Sequence, residues 1–391
     1  MTSVNAASEL AKSVLPVVAR YAAEADRDAR FPTESLRALG EAGLMGMLVP
    51  AAYGGLGGNL ADFVSVAKIL APACLSTAMI WAMHCQQTDA IVIHASERLR
   101  DELLPAIAEG SLYLASVTTE PEKGGRLFSV DSPLTGDGTM LTIDRNAPVV
   151  TGGGHAGGFL ITMRASEDAA NDEISLVYAH RSQLEIGVTG DWNTMGMRGT
   201  ESIGLKIRGD VPSSQIVGVP GGFRGVAMES AIPVGILGFA ACWLGAAQGA
   251  LMELLHLARS STRPKSLDIS SDLVAERLAR SRIDLELINS YLLHTVTEVE
   301  SARAQGSSLG RPATQIHLNT LKIAASELVF QAIDRLLQLA GLALGYSREA
   351  LIPLERHFRD LRSARLNNSN DRLLSATGSL MLLDRVCTLL P

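Results

Sequence analysis

The chain has 391 residues, of which 47% are hydrophobic and 19% charged, and its formal net charge is −7. This composition supplies apolar side chains for two or three folded cores and excludes an intrinsically disordered chain. The acidic charge and the 4% content of aromatic residues argue against a nucleic-acid partner.

The spacing of the cysteines indicates whether the chain has disulfides or a metal site, and its first segment indicates where the protein is located. Cys74, Cys85, Cys242 and Cys387 form no CxxC pair, so the sequence predicts neither a disulfide framework nor a metal site. The first helix-like segment carries charges throughout, unlike a secretory signal. No apolar run approaches the roughly 20 residues of a membrane span. We therefore expect a soluble, cytoplasmic protein with no membrane partner.

The character of the sequence changes twice along the chain, which predicts three domains. Residues 1–110 have helical periodicity, with the glycine-rich segment LVPAAYGGLGGN between helices. Residues 111–222 contain short runs rich in Val, Ile, Leu and Thr between turn residues, which is typical of strands. Because no helices separate these strands, we expect an antiparallel sandwich or barrel. Residues 223–391 return to long segments with apolar residues three or four apart, which predicts an antiparallel bundle of three or four helices.

Two motifs in the first two regions are better explained by structure than by chemistry. GGGHAG, residues 152–157, has the spacing of a dinucleotide-binding glycine motif, but a strand-like segment follows where that motif requires a helix. His84 lies on a predicted helix among apolar neighbours, which is typical of a buried histidine with a structural role.

The segment NNSND, from Asn367 to Asp371, interrupts the last helical region with five polar residues of low helix propensity. Taken alone, it is typical of a turn between two helices. The alternative is that this turn carries a reactive group of an active site.

Four longer phrases stand at the ends of predicted elements: ASVTTEPEKGG (115–125), APVVTGGGHAGGFLI (147–161), WNTMGMRGTESIGLKIRGDVP (192–212) and QLAGLALGYSREALIPLERHFRD (338–360). In this order, on a chain with helical, β and helical regions, they resemble the acyl-CoA dehydrogenase superfamily, which includes two-component flavin-dependent monooxygenases. The resemblance implies an α+β flavoprotein with an N-terminal helical domain, a middle antiparallel β domain and a C-terminal four-helix bundle. It also implies that the flavin lies between the β domain and the bundle.

The resemblance further implies FAD as the cofactor and assigns residues to its ring. VTTE resembles a strand that binds the pyrimidine edge of the flavin, which puts Thr118 and Thr119 there. VVTG resembles a segment whose threonine lies near flavin N5, which assigns Val150 and Thr151 to that side. Hydroxyl and main-chain N–H groups at strand ends are the donors that a flavin ring needs.

The rest of the predicted cofactor site departs from the family pattern. Gln338, Gly341 and Gly345 resemble a segment that reaches the dinucleotide of a neighbouring subunit, with one residue more than usual. The phrase SSTRPKS offers Arg263 for the diphosphate, without the Phe-Gly that follows in the family. Since the family shares its flavin site between subunits, we expect a homo-oligomer, and specifically a homotetramer.

The position of the catalytic glutamate in many members of the family is Asn368 in this chain, and the alternative position is Gly235. A neutral amide cannot take a proton from an acyl α-carbon. Asp371 lies three residues beyond Asn368, and Glu229 lies six residues before Gly235, so either acid is a candidate base.

Two reactions therefore stay open for a flavin-dependent oxidoreductase of this kind. The first is oxidation of an acyl thioester, bound to CoA or a carrier protein, at Cα–Cβ, with an electron-acceptor flavoprotein as partner. The second is the oxygenase component of a two-component flavin-dependent monooxygenase, which acts on a small molecule with O₂ and with reduced FMN or FAD from a reductase. This second reaction needs a water-poor pocket and no carboxylate base. A flavin-binding or acyl-binding relative without redox activity is the third reading.

Overall fold

The N-terminal region of the computed structural model is helical. The model describes residues 3–123, 126–265 and 267–390, so Gly124, Gly125 and Ser266 of the phrases above lie outside the described residues. The helices are α1 (Ser3–Asp28), α2 (Thr33–Glu41), α3 (Leu60–Leu70), α4 (Leu75–His94) and α5 (Glu97–Ala108). The glycine-rich segment ends at Asn59, whose side chain accepts the Asp62 N–H (2.8 Å), while the Asp62 side chain accepts the Asn59 N–H (3.2 Å). This reciprocal cap explains why α3 begins there.

The middle region consists of two four-stranded sheets with the orders β1-β4-β5-β8 and β2-β3-β7-β6. The strands are β1 (Leu114–Val117), β2 (Thr135–Gly136), β3 (Met140–Val150), β4 (Gly158–Arg164), β5 (Ile174–His180), β6 (Leu184–Gly190), β7 (Ile203–Pro212) and β8 (Ile216–Val217). The sheets share an apolar core that includes Val117, Ile143, Phe159, Leu205 and Ile207.

The pairing of β1 with β4 is parallel, whereas the other strand pairs of the described sheets are antiparallel. A parallel pair needs a long connection between its strands, which is usually a helix. Here β2 and β3 of the other sheet provide that connection. The lack of helices in this region therefore did not exclude a parallel pair.

The C-terminal region is helical and begins with α6 (Phe223–Val226). A π-helical turn (Ala227–Ala231) leads into α7 (Ile232–Arg259), followed by α8 (Asp272–Ala304), α9 (Pro312–Gly341), α10 (Leu354–Arg362) and α11 (Asn370–Met381). α7 packs against α3 and α4 on one side and against α8 and α9 on the other. α10 and α11 pack on α9. The arrangement of helical, β and helical regions confirms the predicted fold class.

Two helical stretches, Phe223–Arg259 and Pro312–Tyr346, are long and apolar enough to cross a membrane by length and composition alone. The sequence analysis did not anticipate them. In the first, 89% of the most apolar window is buried inside the fold, as in the core helix of a globular protein. In the second, only 39% is buried, so part of that apolar surface is left uncovered within one chain.

His84 joins the β domain to the N-terminal helices. Its Nδ1 accepts the N–H of Leu114 (3.1 Å), and its Nε2 donates to the carbonyl of Met45 (3.1 Å). Burial lowers the pKa of His84 to about 4, so the ring is neutral at physiological pH. Since both ring nitrogens are engaged by backbone groups, this histidine has the structural role that its neighbours predicted.

A second junction joins the β domain to α10 and α1. Asp360 accepts the N–H of Met197 through Oδ1 (2.5 Å). Arg359 donates to the carbonyl of Met195 (3.0 Å) and to both carboxylate oxygens of Asp26 (2.9 and 2.6 Å). The end of the RHFRD phrase therefore fixes the bundle against the other two domains.

Candidate functional site

The ends of β1 and β3 form the centre of the candidate site. Thr118 and Thr119 directly follow β1, and Val150 is the last residue of β3. The hydroxyl of Thr119 donates to the carbonyl of Val149 (3.0 Å) and accepts the Val149 N–H (3.3 Å). A bulge between Ala147 and Val150 interrupts the pairing of β3 with β7, which leaves the backbone of Val149 free for this contact. The structure thus brings the predicted ring-binding segments together.

A chain of three hydroxyl groups lies behind the end of β3. Thr151 Oγ1 is 2.9 Å from Ser202 Oγ, which is 2.8 Å from Thr200 Oγ1. Thr200 donates to the carbonyl of Met197 (2.8 Å). Since each hydroxyl has one hydrogen, all three bonds form together only if Ser202 donates to Thr200 and Thr151 donates to Ser202. The Thr151 oxygen then offers only lone pairs to a ligand.

These groups fit an isoalloxazine ring. Thr118, Thr119 and Thr151 are half-buried, so each residue keeps some accessible surface at the strand ends. The Val149 side chain is 39% exposed beside them and offers an apolar surface. Neutral polar groups around an apolar surface are what binding of a flavin ring requires.

The predicted dinucleotide residues on α9 lie on the bundle. Gln338 is exposed and donates to the Asp334 carboxylate (2.8 Å). Gly341 ends α9 with a φ of +68°, and a π-helical turn (Leu342–Tyr346) follows. A π-helical turn holds one residue more than an α-helical one, which accounts for the extra residue in GLALG. Gly345 is buried, and a Cβ at this position would lie 2.8 Å from the Cβ of Ala340.

Arg263 lies in the loop between α7 and α8. Its side chain is exposed, and its Nη1 donates to the carbonyl of Ala258 (3.1 Å). None of the hydrogen bonds described for Arg263 or Gln338 reaches β1 or β3. The structure therefore does not join these predicted cofactor residues to the strand ends within one chain.

Neither of the two positions at which the family carries its catalytic glutamate has an acidic residue in this chain. Asn368 lies in the turn before α11 with a φ of +49°, and its side chain is exposed. Gly235 faces α4, where a Cβ would overlap the amide of Gln86. A glutamate at position 235 would therefore require the flexible side chain of Gln86 to move.

The two candidate acids have different surroundings. Glu229 accepts the Ser308 hydroxyl (2.6 Å) and the Leu309 N–H (3.0 Å), so it holds the loop between α8 and α9. Asp371 is exposed in the first turn of α11. Glu229 has a structural role in this arrangement, whereas Asp371 is accessible.

Sequence reasoning missed three residues of this region. Thr200 and Ser202 complete the hydroxyl chain, and Lys322 of α9 donates to the carbonyl of Asn368 (2.9 Å). The signal for Lys322 was available, because a lysine within the apolar segment LKIAASELV marks a charge on a buried helix face. The link between Thr151 and Ser202 had no local signal, since these two residues are 51 positions apart along the chain.

Comparison with known proteins gives two family matches. A sequence model described as "Acyl-CoA dehydrogenase, N-terminal domain" matches residues 5–111, and one described as "Acyl-CoA dehydrogenase, C-terminal domain" matches residues 222–368. Together the two models cover nearly two thirds of the chain, and they confirm the resemblance drawn from the four phrases.

Individual relatives are similar over most of their length. The mitochondrial isobutyryl-CoA dehydrogenase of Dictyostelium discoideum is 24% identical, with 90% of this chain and 82% of the relative covered. The short-chain-specific acyl-CoA dehydrogenase of Clostridium acetobutylicum is 25% identical, with 87% of each chain covered.

Solved structures share the fold. The butyryl-CoA dehydrogenase of Megasphaera elsdenii has a TM-score of 0.84 at 21% identity, with 98% of each chain covered. The dibenzothiophene monooxygenase TdsC of Paenibacillus sp. A11-2 has a TM-score of 0.81 at 21% identity, with 98% of this chain and 97% of that chain covered. Dehydrogenases and a monooxygenase thus share this architecture.

Proposed function

Because the chain belongs to the acyl-CoA dehydrogenase superfamily and is therefore a flavin-dependent oxidoreductase, we propose that it is the oxygenase component of a two-component flavin-dependent monooxygenase. In this role it binds reduced FMN or FAD, delivered by a separate reductase, and uses O₂ to oxidise a small molecule. A bound flavin supplies two-electron redox chemistry. Thr118, Thr119, Val150 and Thr151 would hold its ring.

The observation that carries the proposal is the direction of the hydroxyl chain. Thr151 donates its hydrogen to Ser202, which leaves its oxygen as an acceptor. The N5 atom of a reduced flavin bears a hydrogen, whereas N5 of an oxidised flavin is itself an acceptor. With Thr151 beside N5, this chain therefore favours uptake of the reduced form.

The positions of the acids support the same reaction. Asn368 cannot accept a proton, and Gly235 has no side chain. Glu229 is engaged by Ser308 and Leu309. Oxidation of an acyl thioester at Cα–Cβ needs a base at the α-carbon, whereas an oxygenase needs donors, acceptors and exclusion of water.

The test is an anaerobic titration of the purified protein with oxidised and reduced FMN and FAD. We expect reduced flavin to bind at least 10-fold more tightly, which corresponds to about one hydrogen bond gained. Thr200→Val removes the group that sets the direction of the chain, so Ser202 becomes free to donate to Thr151, and the preference should shrink by about 10-fold.

Thr194→Val is the matched control for this titration. Its hydroxyl also donates to a nearby carbonyl, that of Gly196 (3.0 Å), but it stands outside the chain of three. We expect this variant to keep the parent preference. Tighter binding of oxidised flavin by the parent protein would contradict the proposal.

Oxidation of an acyl thioester is the second candidate. It is favoured by the similarity to curated relatives whose names describe acyl-CoA dehydrogenases, at 24% and 25% identity. In this reaction the exposed carboxylate of Asp371 would take the place of the missing base. Bleaching of protein-bound FAD by acyl thioesters in the absence of O₂ would support it over the oxygenase.

A further inference from the structure

Lys322 is a fully buried lysine in the middle of α9. Its Nζ donates to the main-chain carbonyl of Asn368 (2.9 Å) and to the side-chain oxygen of Asn370 (2.6 Å). It also lies 5.9 Å from the centre of the Trp243 ring on α7. Lys322 thus links the core of the bundle to the pre-α11 turn, residues 366–370, which comprises the turn at 366–369 and the first residue of α11, Asn370.

Burying an ammonium group is costly unless its donors are satisfied. Two of its three N–H groups point at the pre-α11 turn, and the Trp243 ring offers an electron-rich face. Asn370 is itself buried and donates to Ser326 (3.1 Å) and to Glu327 (3.2 Å) on α9. Buried hydrogen bonds to α9 therefore hold the turn against the bundle.

The backbone of the turn shows why an anchor matters. Asn368 has a φ of +49°, a left-handed conformation that side chains with a Cβ rarely adopt. Asparagine tolerates this conformation better than most residues. The hydrogen bond from Lys322 to the Asn368 carbonyl fixes the peptide group in this orientation, and with it the direction of the Asn368 side chain.

We propose that Lys322 is a positioning residue, which holds the pre-α11 turn in place and so sets where residue 368 stands relative to the flavin. This inference rests on the proposed function for the place of the turn beside the flavin. The hold of Lys322 on the turn rests only on the contacts described above.

The hold should depend on pH. Burial lowers the pKa of Lys322 to about 8; Glu327 on α9 favours the charged form, and Arg365 in the preceding 3₁₀ turn (Ser363–Arg365) disfavours it. These are the charged groups that act on Lys322, and α7 contributes the Trp243 ring. Opening the turn exposes the amine to water and returns its pKa toward the usual 10.5. By linkage, the closed turn should therefore become more stable relative to the opened one as the pH rises from about 8 toward 10.

Hydrogen–deuterium exchange of the peptide covering residues 363–373 reports on the turn directly. In Lys322→Met, which keeps the length of the side chain, we expect exchange at least 10-fold faster, because two bonds to a charged donor are lost. Lys68→Met is the matched control. Lys68 is also a partly buried lysine bonded to an asparagine, Asn289 (2.6 Å), but on α3. We expect it to leave exchange in residues 363–373 unchanged.

The pH profile separates positioning from a general effect on stability. After correction for the intrinsic chemical rate, parent exchange in this peptide should fall between about pH 8 and 10, and this fall should be absent in Lys322→Met. Unchanged protection in Lys322→Met would overturn the proposal, as would a parent profile that is flat across this range. If Lys322→Met fails to fold, Asn370→Leu removes the other partner, and unchanged protection in that variant overturns the proposal equally.

Flavin turnover in the same variants separates this inference from the proposed function. If the pre-α11 turn loosens but reduced flavin and O₂ give no turnover in the parent protein, the oxygenase reading fails and the hold of Lys322 stands. If the parent turns over, we expect Lys322→Met to lower turnover more than flavin affinity, since Lys322 contacts the turn and not the strand ends.

Discussion

The hydrogen-bonding role of the Thr151 hydroxyl depends on the groups to which it is linked. It donates to Ser202, and the direction is fixed by Thr200 and the Met197 carbonyl. Thr151→Val keeps the shape of the side chain and removes the acceptor. We expect about 10-fold weaker binding of reduced flavin and little change for oxidised flavin, measured by anaerobic fluorescence titration. Equal losses for both forms would indicate that Thr151 contributes packing and not a hydrogen bond.

Replacing Asp371 tests which of the two reactions the protein catalyses. For the oxygenase, Asp371→Asn should leave turnover within about twofold of the parent. For oxidation of an acyl thioester with Asp371 as base, the same change should cost a factor of about 10² to 10⁴. Asn368 can at best orient a ligand, so its replacement by alanine should cost nearer 10-fold. Rapid-reaction measurement of flavin bleaching with a panel of acyl thioesters distinguishes the oxygenase from the enzyme that oxidises acyl thioesters.

Glu229→Gln serves as the comparison for Asp371→Asn. The change keeps an acceptor for the Leu309 N–H but weakens two charge-assisted bonds to the α8–α9 loop. We expect the free energy of unfolding to fall by about 1–2 kcal/mol, with flavin binding unchanged. A large loss of turnover at unchanged stability would instead identify Glu229 as the base.

At the scale of elements, the junction of α10 with the β domain contains a buried acid. Burial raises the pKa of Asp360 to about 6, against 3.8 for the free group. A carboxyl whose pKa is raised by folding binds its proton more tightly in the folded state, so stability falls as the pH rises from about 4 to 6. Asp360→Asn keeps the acceptor for the Met197 N–H. We expect it to remove this fall and to be more stable than the parent at pH 7, by up to about 3 kcal/mol.

Urea unfolding between pH 4 and 8 measures this difference. Asp144→Asn is the control, because Asp144 is exposed and paired with Arg208 (3.0 Å) on the surface of the β domain. There we expect a change below about 1 kcal/mol. If Asp360→Asn is less stable than the parent at every pH, the Asp360 carboxylate is charged and favourably paired in the folded protein.

The elements also show what could be predicted from sequence. The periodicity of α7, α8 and α9 predicted a helical bundle: α8 and α9 bury residues three or four apart, and α7 is buried around most of its surface. The parallel pairing of β1 with β4 was not predictable, since it depends on a path through the other sheet. Thr118, Thr119 and Thr151 were found through phrases at strand ends, whereas Ser202 and Lys322 act through contacts distant in sequence. Local patterns specify elements, and long-range contacts complete the site.

At the scale of the whole molecule, one end of the bundle exposes large apolar side chains. Leu342 (79% exposed), Tyr346 (69%) and Leu351 (82%) lie within ten residues of one another along the chain, after the end of α9. The apolar window of the Pro312–Tyr346 stretch is only 39% buried within the chain. Large exposed apolar side chains of this kind are typical of an interface.

We therefore predict a homotetramer in which copies of this chain cover that surface. Leu351→Asp should shift the molar mass toward dimer or monomer in light scattering at micromolar concentration, because burying an unpaired charge in an interface is costly. Val188→Asp is the control, since Val188 is similarly exposed (67%) on β6. Gln338 and Gly341 are exposed, so they are accessible to a neighbouring subunit, whereas Gly345 is buried. Dissociation should then weaken flavin binding as well, and a Leu351→Asp monomer with full flavin affinity would contradict a site shared between subunits.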